Sequence, residues 1–165
     1  MRVEVRGFEP SDGDAVLSGI LAAEDFALAL TGYFPEPGDL QSLFYALPEG
    51  AAPEQKRVLT VTADGEPVGV VDAVLDWPQI GVVTSSLLLV HPRRQRVGIG
   101  SAALGRARET GYRAVRASCP RGWAPGERLL TRAGFERSPA DTVPMNRVVH
   151  PHEGEHPSDL WRREL

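Results

Sequence analysis

Residues 87–101 read LLLVHPRRQRVGIGS, and no other stretch restricts the fold of this chain as much. Leu87 to Val90 is an apolar run that suits a buried strand. It ends at His91-Pro92, because proline has no N–H to give to a sheet ladder. Three arginines follow, then Gly98-Ile99-Gly100 and the helix-forming SAALGRARET. A glycine-rich turn that opens a helix brings successive backbone N–H groups together, and the helix end adds partial positive charge. Without Cβ atoms, Gly98 and Gly100 allow close approach of an oxygen-rich ligand. The segment therefore predicts strand, anion-binding turn and helix, with a pyrophosphate as the fitting guest.

The flanking sequence supplies the other elements. Arg2 to Arg6 alternates Val3 and Val5 with charges and reads as a strand. Ser11 or Asp12 can cap a helix running to about Leu30, which Gly32, Pro35, Pro37 and Gly38 break before a short helix from Asp39 to Ala46. Asp64-Gly65, a strong turn signal, joins strands at Val58–Thr62 and Val68–Leu75. Trp77-Pro78 and Gly81 precede the strand Val82–Val90. The helix from Gly98 to Thr110 stops at Gly111, Arg113–Cys119 reads as a strand, and Pro125–Ala133 as a helix stopped by Gly134. Val143–Val149 is expected to close the sheet. Residues 1–149 then form one domain, and residues 150–165 a polar tail that packs only through Leu160 and Trp161.

Three consecutive strands with short turns fit no doubly wound pattern. They imply a mixed α/β fold, an antiparallel meander whose last strand enters a β-α-β crossover with flanking helices. Within it, Gln95-Arg96-Val97-Gly98-Ile99-Gly100, preceded by Leu88, Val90 and Pro92 and followed later by Ala133-Gly134-Phe135, resembles the acyl-CoA signature of the GNAT superfamily of N-acyltransferases. The resemblance implies two adjacent parallel strands that splay to admit acetyl-CoA, with a bulge near Leu88. The Leu88 N–H would then polarise the thioester, and Leu89 and Val90 would flank the pantetheine. Gln95, Arg96, Val97, Gly98, Ile99, Gly100 and Ser101 would hold the pyrophosphate, and Trp123 falls where the family commonly has an asparagine. Transfer to a primary amine, on a small molecule or a peptide N-terminus, is the implied reaction.

The acid and base depart from the family's pattern. Where many relatives carry Glu or His on the strand before the signature, this chain has Thr84 and Ser86, which suit holding a proton-carrying water. Asp72 and Asp76 are the nearest carboxylates on the preceding strand. Leu130 stands in place of the usual tyrosine, and Cys119 reads as a core residue. These departures also suit a catalytically silent acyl-CoA-binding module. A dinucleotide site, here for NADP, is the remaining reading of Gly98–Ala103. Against it, seven residues separate Val90 from Gly98, and Cys119-Pro120-Arg121 stands where the ribose-binding acid belongs.

Charge bears on the acceptor. Residues 1–90 carry 14 acidic and 4 basic side chains, a balance of −10, and residues 91–165 carry 8 and 14, a balance of +6. A basic half suits a polyphosphate, and an acidic half with Glu24, Asp25, Glu36 and Asp39 around Tyr33 and Phe34 suits a cationic amine. The sequence pI of about 5.6 disfavours bulk nucleic-acid binding. His150, His152 and His156 lack a rigid second ligand pair, so no metal is expected. A lone cysteine and the absence of a signal or membrane-spanning segment point to the cytoplasm, with a homodimer compatible.

Overall fold

The computed structural model describes residues 1–138 and 156–165. In chain order the elements are β1 (Val3–Gly7), α1 (Gly13–Ala22), α2 (Glu24–Thr31), α3 (Gly38–Tyr45), β2 (Lys56–Ala63), β3 (Glu66–Leu75) and β4 (Val82–Val90). Then come α4 (Ile99–Gly105), β5 (Ala114–Pro120), α5 (Ala124–Arg132), β6 (Glu136–Arg137) and β7 (Ser158–Glu164). The strands form one sheet in the order β1-β2-β3-β4-β5-β7-β6. Every pairing is antiparallel except β4 with β5, the crossover through α4. The mixed sheet with flanking helices is the architecture expected.

The sheet has two covered faces. On one, Val16, Ile20 and Ala23 pack against Val70 and Leu89, with Phe8, Phe26, Leu40 and Leu43 completing the layer. On the other, Ile99 and Ala103 of α4 pack on Val3, Val61, Ala63, Val68 and Val90, while Leu130 and Phe135 cover Val115, Ala117, Cys119 and Trp161. The β2–β3 hairpin turns on Asp64 and Gly65 at φ 51° and 84°, both left-handed, as a two-residue turn matched to strand twist requires.

Three expectations are corrected. The helix from Asp12 to Leu30 is two helices, α1 and α2, with Ala23 between them at φ −89° and ψ 53°. Ala23 is buried, and the break re-aims the chain so that Phe26 reaches the middle of the sheet; Glu24 and Asp25 begin the new helix where acids suit its N-terminus. Second, α4 is α-helical only to Gly105 and continues as a 3₁₀ turn from Arg106 to Thr110. Arg106 is anchored to the Val3 carbonyl through Nε at 3.2 Å and Nη2 at 2.8 Å. Third, the end of the polar tail, Ser158–Glu164, is a strand of the sheet. β7 pairs along its length with β5, from Ala114↔Glu164 to Pro120↔Ser158, and with β6. Its charges disguise it, but Leu160 and Trp161 bury opposite faces, and Asp159 is bonded to Arg121 at 2.9 Å. The strand expected at Val143–Val149 lies outside the described residues.

One polar cluster ties the N-terminus down. Asp12, 1% exposed, accepts from Arg6 Nη1 and Nη2, both at 2.8 Å, from the Glu9 N–H at 2.9 Å and from Thr60 Oγ1 at 2.8 Å. The Arg6 guanidinium holds the Asp12 carboxyl well below the usual carboxylate range. A carboxyl depressed in the folded state stabilises fully above its unfolded pKa and loses that stabilisation as pH falls. Asp12→Ala is therefore expected to cost about 2 kcal/mol in urea unfolding at pH 7, because it leaves the buried Thr60 hydroxyl and the Glu9 N–H without their acceptor while the part-exposed Arg6 turns to water. The cost should shrink as the pH is lowered below about 4, where the unfolded carboxyl protonates.

Candidate functional site

The site begins where β4 and β5 part. They pair in parallel only from Val82↔Ala114 to Ser85↔Ala117. Beyond that, Ser86–Val90 and Ser118–Pro120 diverge, and a cleft of about 410 Å³ opens between them. The register of β4 on β3 slips at the same place. Asp72 faces Leu87 and Ala73 faces Ser85, so Ser86 is an extra residue, a β-bulge. The bulge lies two positions before Leu88, where it was expected.

The cleft brings together most of the residues singled out in the sequence: Ser86, Leu88, Leu89, Val90, Gln95, Arg96, Gly98, Gly100, Ser101 and Trp123. It does not gather them all. Val97 is exposed, and Ile99 is buried in the core as the first inward residue of α4. Thr84 is corrected as a water-holding group: it is buried beneath the fork, where its hydroxyl donates to the Trp77 carbonyl at 2.8 Å and fixes the β3–β4 turn. Asp76 is likewise committed to that turn, accepting from the Gly81 N–H at 2.8 Å. Gln95 donates to the Val90 carbonyl at 2.7 Å, which leaves that carbonyl engaged and makes Gln95 a tie between turn and strand.

The two signature glycines differ in purpose. Gly98 has φ 90°, and a Cβ there would meet nothing within 4 Å, so its side is open to a ligand. Arg96 is also left-handed, at φ 69°, so the turn holds two positive-φ positions, the kind of backbone conformation from which anion-binding nests are built. At Gly100 a Cβ would lie 3.2 Å from Leu129 Cδ2, so that glycine serves the packing of α4 on α5.

Some site residues carry no obvious sequence signal, and others could have been found. Arg128 and Arg132, one helical turn apart on α5, join Arg96 in lining the cleft. None of the three has an ion-pair partner among the described residues. Their i, i+4 spacing was the available signal. Phe26 reaches the cleft only because of the break at Ala23, and it meets Trp123 edge-to-face with ring centroids 6.1 Å apart. Ser118, unnoticed in the sequence, is the first residue of β5 past the last pair, as Ser86 is on β4.

Behind the bulge lies a buried polar chain. Ser86 Oγ donates to Asp72 Oδ2 at 2.7 Å, and Asp72 is ion-paired to Lys56, whose Nζ also donates to the Ala46 carbonyl at 2.6 Å. Asp72 is 2% exposed, and burial pushes its carboxyl upward while Lys56 and Ser86 pull it back. A desolvated carboxylate that reaches a cleft through one hydroxyl is chemically a proton acceptor. By contrast Arg116, buried on β5 beneath the fork, stacks over Trp77 at 5.4 Å and does not line the cleft. Among the described residues no His/Cys/Asp/Glu cluster could hold a metal ion, and no helix is long and apolar enough to cross a membrane.

Comparison with known proteins follows this geometry. The model of the acetyltransferase (GNAT) family matches residues 23–135. No curated protein matches the chain. Among solved structures, an acetyltransferase from Thermus thermophilus is 22% identical with a TM-score of 0.72, covering 100% of this chain and 98% of that one. A GCN5-related N-acetyltransferase from Kribbella flavida is 25% identical with a TM-score of 0.64, covering 99% and 98%. A putative acetyltransferase from Salmonella typhimurium, solved with its cofactor acetyl-CoA, is 18% identical with a TM-score of 0.60, covering 99% and 94%.

Cys119 lines the cleft yet is only 3% exposed, with the first turn of α5 pressed against it: a Cβ on Gly126 would lie 2.7 Å from its sulfur. Burial, helped by Glu127 and Asp159, pushes its thiol up to about 12. The thiolate is the reactive form, so Cys119 should resist a soluble disulfide reagent at pH 8 in the folded protein and react promptly in denaturant. Stoichiometric labelling of the native protein within the time needed for the denatured one would contradict this.

Proposed function

The chain belongs to the acetyltransferase (GNAT) family, and on that premise we propose that it transfers an acetyl group from acetyl-CoA directly to a primary amine. The observation that carries this reading is the fork of β4 and β5 with the arginine-lined turn at its mouth. Acetyl-CoA supplies an activated thioester carbonyl. The residues present fit it: Gly98 leaves its side open, the turn at Arg96–Gly98 has the positive-φ backbone of an anion-binding loop, and Arg96, Arg128 and Arg132, without ion-pair partners among the described residues, would bring positive charge to phosphates. The strand backbone freed beyond Ser85 gives β4, at Leu88 in particular, N–H groups for a carbonyl that gains negative charge.

In this proposal Ser86 and Asp72 move the amine's proton. The Ser86 hydroxyl already donates to Asp72, so its lone pairs are available on the cleft side to accept from the amine while its own proton passes to Asp72. Lys56 is a positioning residue: it holds Asp72 ionised inside the sheet. Cys119, kept as a thiol, offers no nucleophile for a covalent intermediate, which favours transfer within a ternary complex. Leu130 is buried in the α5 core, so the departing thiolate takes its proton from a cleft hydroxyl or from water.

Ser86→Ala should lower kcat by about 10²-fold, the lower range for general-base catalysis, with acetyl-CoA affinity unchanged. Because burial raises Asp72, the wild-type rate should fall with decreasing pH before the ordinary carboxylate range is reached, as Asp72 protonates. CoA release measured with a panel of primary amines tests both. Unimpaired turnover in Ser86→Ala would remove Ser86 and Asp72 from the chemistry. Binding of acetyl-CoA without release to any amine would favour a silent acyl-CoA-binding module.

For the acceptor we propose a cationic amine, on a small molecule or a basic peptide N-terminus. Phe26 lines the cleft from α2, and Glu24 and Asp25 beside it are exposed. Attraction of this kind is screened by salt. kcat/KM for the true acceptor should therefore decline between low and high ionic strength, and a preference for anionic or neutral amines without such a trend would refute the assignment.

A further inference from the structure

A second cavity, about 440 Å³, lies between the sheet and α4 with the 3₁₀ turn that follows it. Its floor is apolar sheet, with Val71, Ala73 and Leu75 of β3 and Val83 of β4, and its roof includes Leu104 and Ala107. It exists because Ala103 and Ala107 are too small to fill the space and the helix loosens after Gly105. Leu59, Val71, Leu75 and Val83 are only half-buried, an apolar lining left incompletely covered.

Two features say what fits. Ser85, Leu88 and Leu104 line this cavity and also the cleft, so the groove opens off the cleft beside the bulge, where the proposed reaction would put the thioester carbonyl. The charges at its far rim are already paired, Arg2 with Glu4 at 2.8 Å and Arg106 with Glu109 at 2.9 Å, and the Ser85 hydroxyl is engaged with the Leu87 carbonyl at 3.1 Å. A terminal carboxylate finds no free cation there, whereas an aliphatic chain needs none. The lining runs from β4 to β1, three strand spacings or roughly 14 Å.

We infer that this groove is an acyl-chain site, and that the protein accepts donors with a straight aliphatic acyl chain of medium length as well as acetyl-CoA. The inference rests on the acetyl-CoA reading above. The transfer is the same: the acyl C–S bond breaks and the C–N bond forms. The amine's proton leaves through Ser86 to Asp72, and the CoA thiolate departs and is protonated from water.

Calorimetry with acetyl-, butyryl-, hexanoyl- and octanoyl-CoA, with no acceptor present, tests it. Each methylene buried in the groove should tighten Kd by about threefold or more. Ala107→Leu fills the roof and should return octanoyl-CoA to the affinity of acetyl-CoA while leaving acetyl-CoA itself unchanged. Leu59→Trp, on β2 toward the far end, should spare butyryl-CoA and weaken octanoyl-CoA, and serves where the first variant does not fold. An affinity that is flat or falls with chain length in the wild type overturns the inference. So does a gain that survives in the folded variants, since the chain then binds elsewhere. Failure of acetyl-CoA itself to bind overturns the cofactor reading, and this one with it.

Discussion

The parting of β4 and β5 after Ser85↔Ala117 is the constraint on which the rest of the structure depends. Backbone N–H and C=O groups withdrawn from both a neighbouring strand and water are costly unless something else bonds them. In this sheet β3 still serves one edge of β4, and β7 one edge of β5. The edges that face each other past the fork have no strand to pair with. The Val90 carbonyl is answered by Gln95, which stitches the glycine turn to the strand end. The remaining positions face a cleft, so an amide-bearing ligand laid between the strands completes what the sheet leaves unfinished.

The bulge at Ser86 couples that opening to chemistry. An extra residue on β4 bends the strand away from β5 and turns the Ser86 hydroxyl onto Asp72. A carboxylate that deep is expensive without a cation, and the chain places its single lysine there, against 17 arginines elsewhere. Lys56 presents one compact charge to Asp72 and to the Ala46 carbonyl, where a forked guanidinium would demand more acceptors. The same reasoning explains Asp12 and Arg6, whose bidentate pair is met by Thr60 and the Glu9 N–H and has no path to the cleft. One buried acid is a fastener, and the other is a fastener with a hydroxyl leading out.

How much of this was legible depended on whether a feature is local. Asp64-Gly65, Gly98, Gly111 and Gly134 all sit at positive φ, and as turn or stop signals they can be read from a few residues. The crossover order and the glycine turn were legible for the same reason. β7 was not, because SDLWRRE looks like a solvated tail until β5 and β6 supply partners for its backbone and Arg121 for Asp159. Strand alternation put Thr84 and Ser86 on one face but could not say that pairing with β5 covers the first and ends before the second. The buried Lys56, the re-aimed Phe26 and the packing use of Gly100 each depend on a contact distant in sequence.

The charge asymmetry of the chain resolves in the same terms. Four of the 14 acids before residue 90 are ion-paired: Asp12 with Arg6 and Asp72 with Lys56 in buried positions, Glu4 with Arg2 and Glu66 with Arg94 of the later half at the surface. Glu24 and Asp25 stay exposed at the start of α2, beside the aromatic that roofs the cleft. At the glycine turn the balance is reversed, since Arg96, Arg128 and Arg132 reach the cleft without ion-pair partners among the described residues. A net charge of −4 therefore hides a dipole across one cleft. A field of that shape would attract the proposed polyphosphate cofactor to one end and the proposed ammonium to the other, and would oppose either entering the wrong way round. On the proposed reaction, electrostatics would sort the two substrates before contact, and the neutral, apolar fork between them would be left to align the reacting atoms.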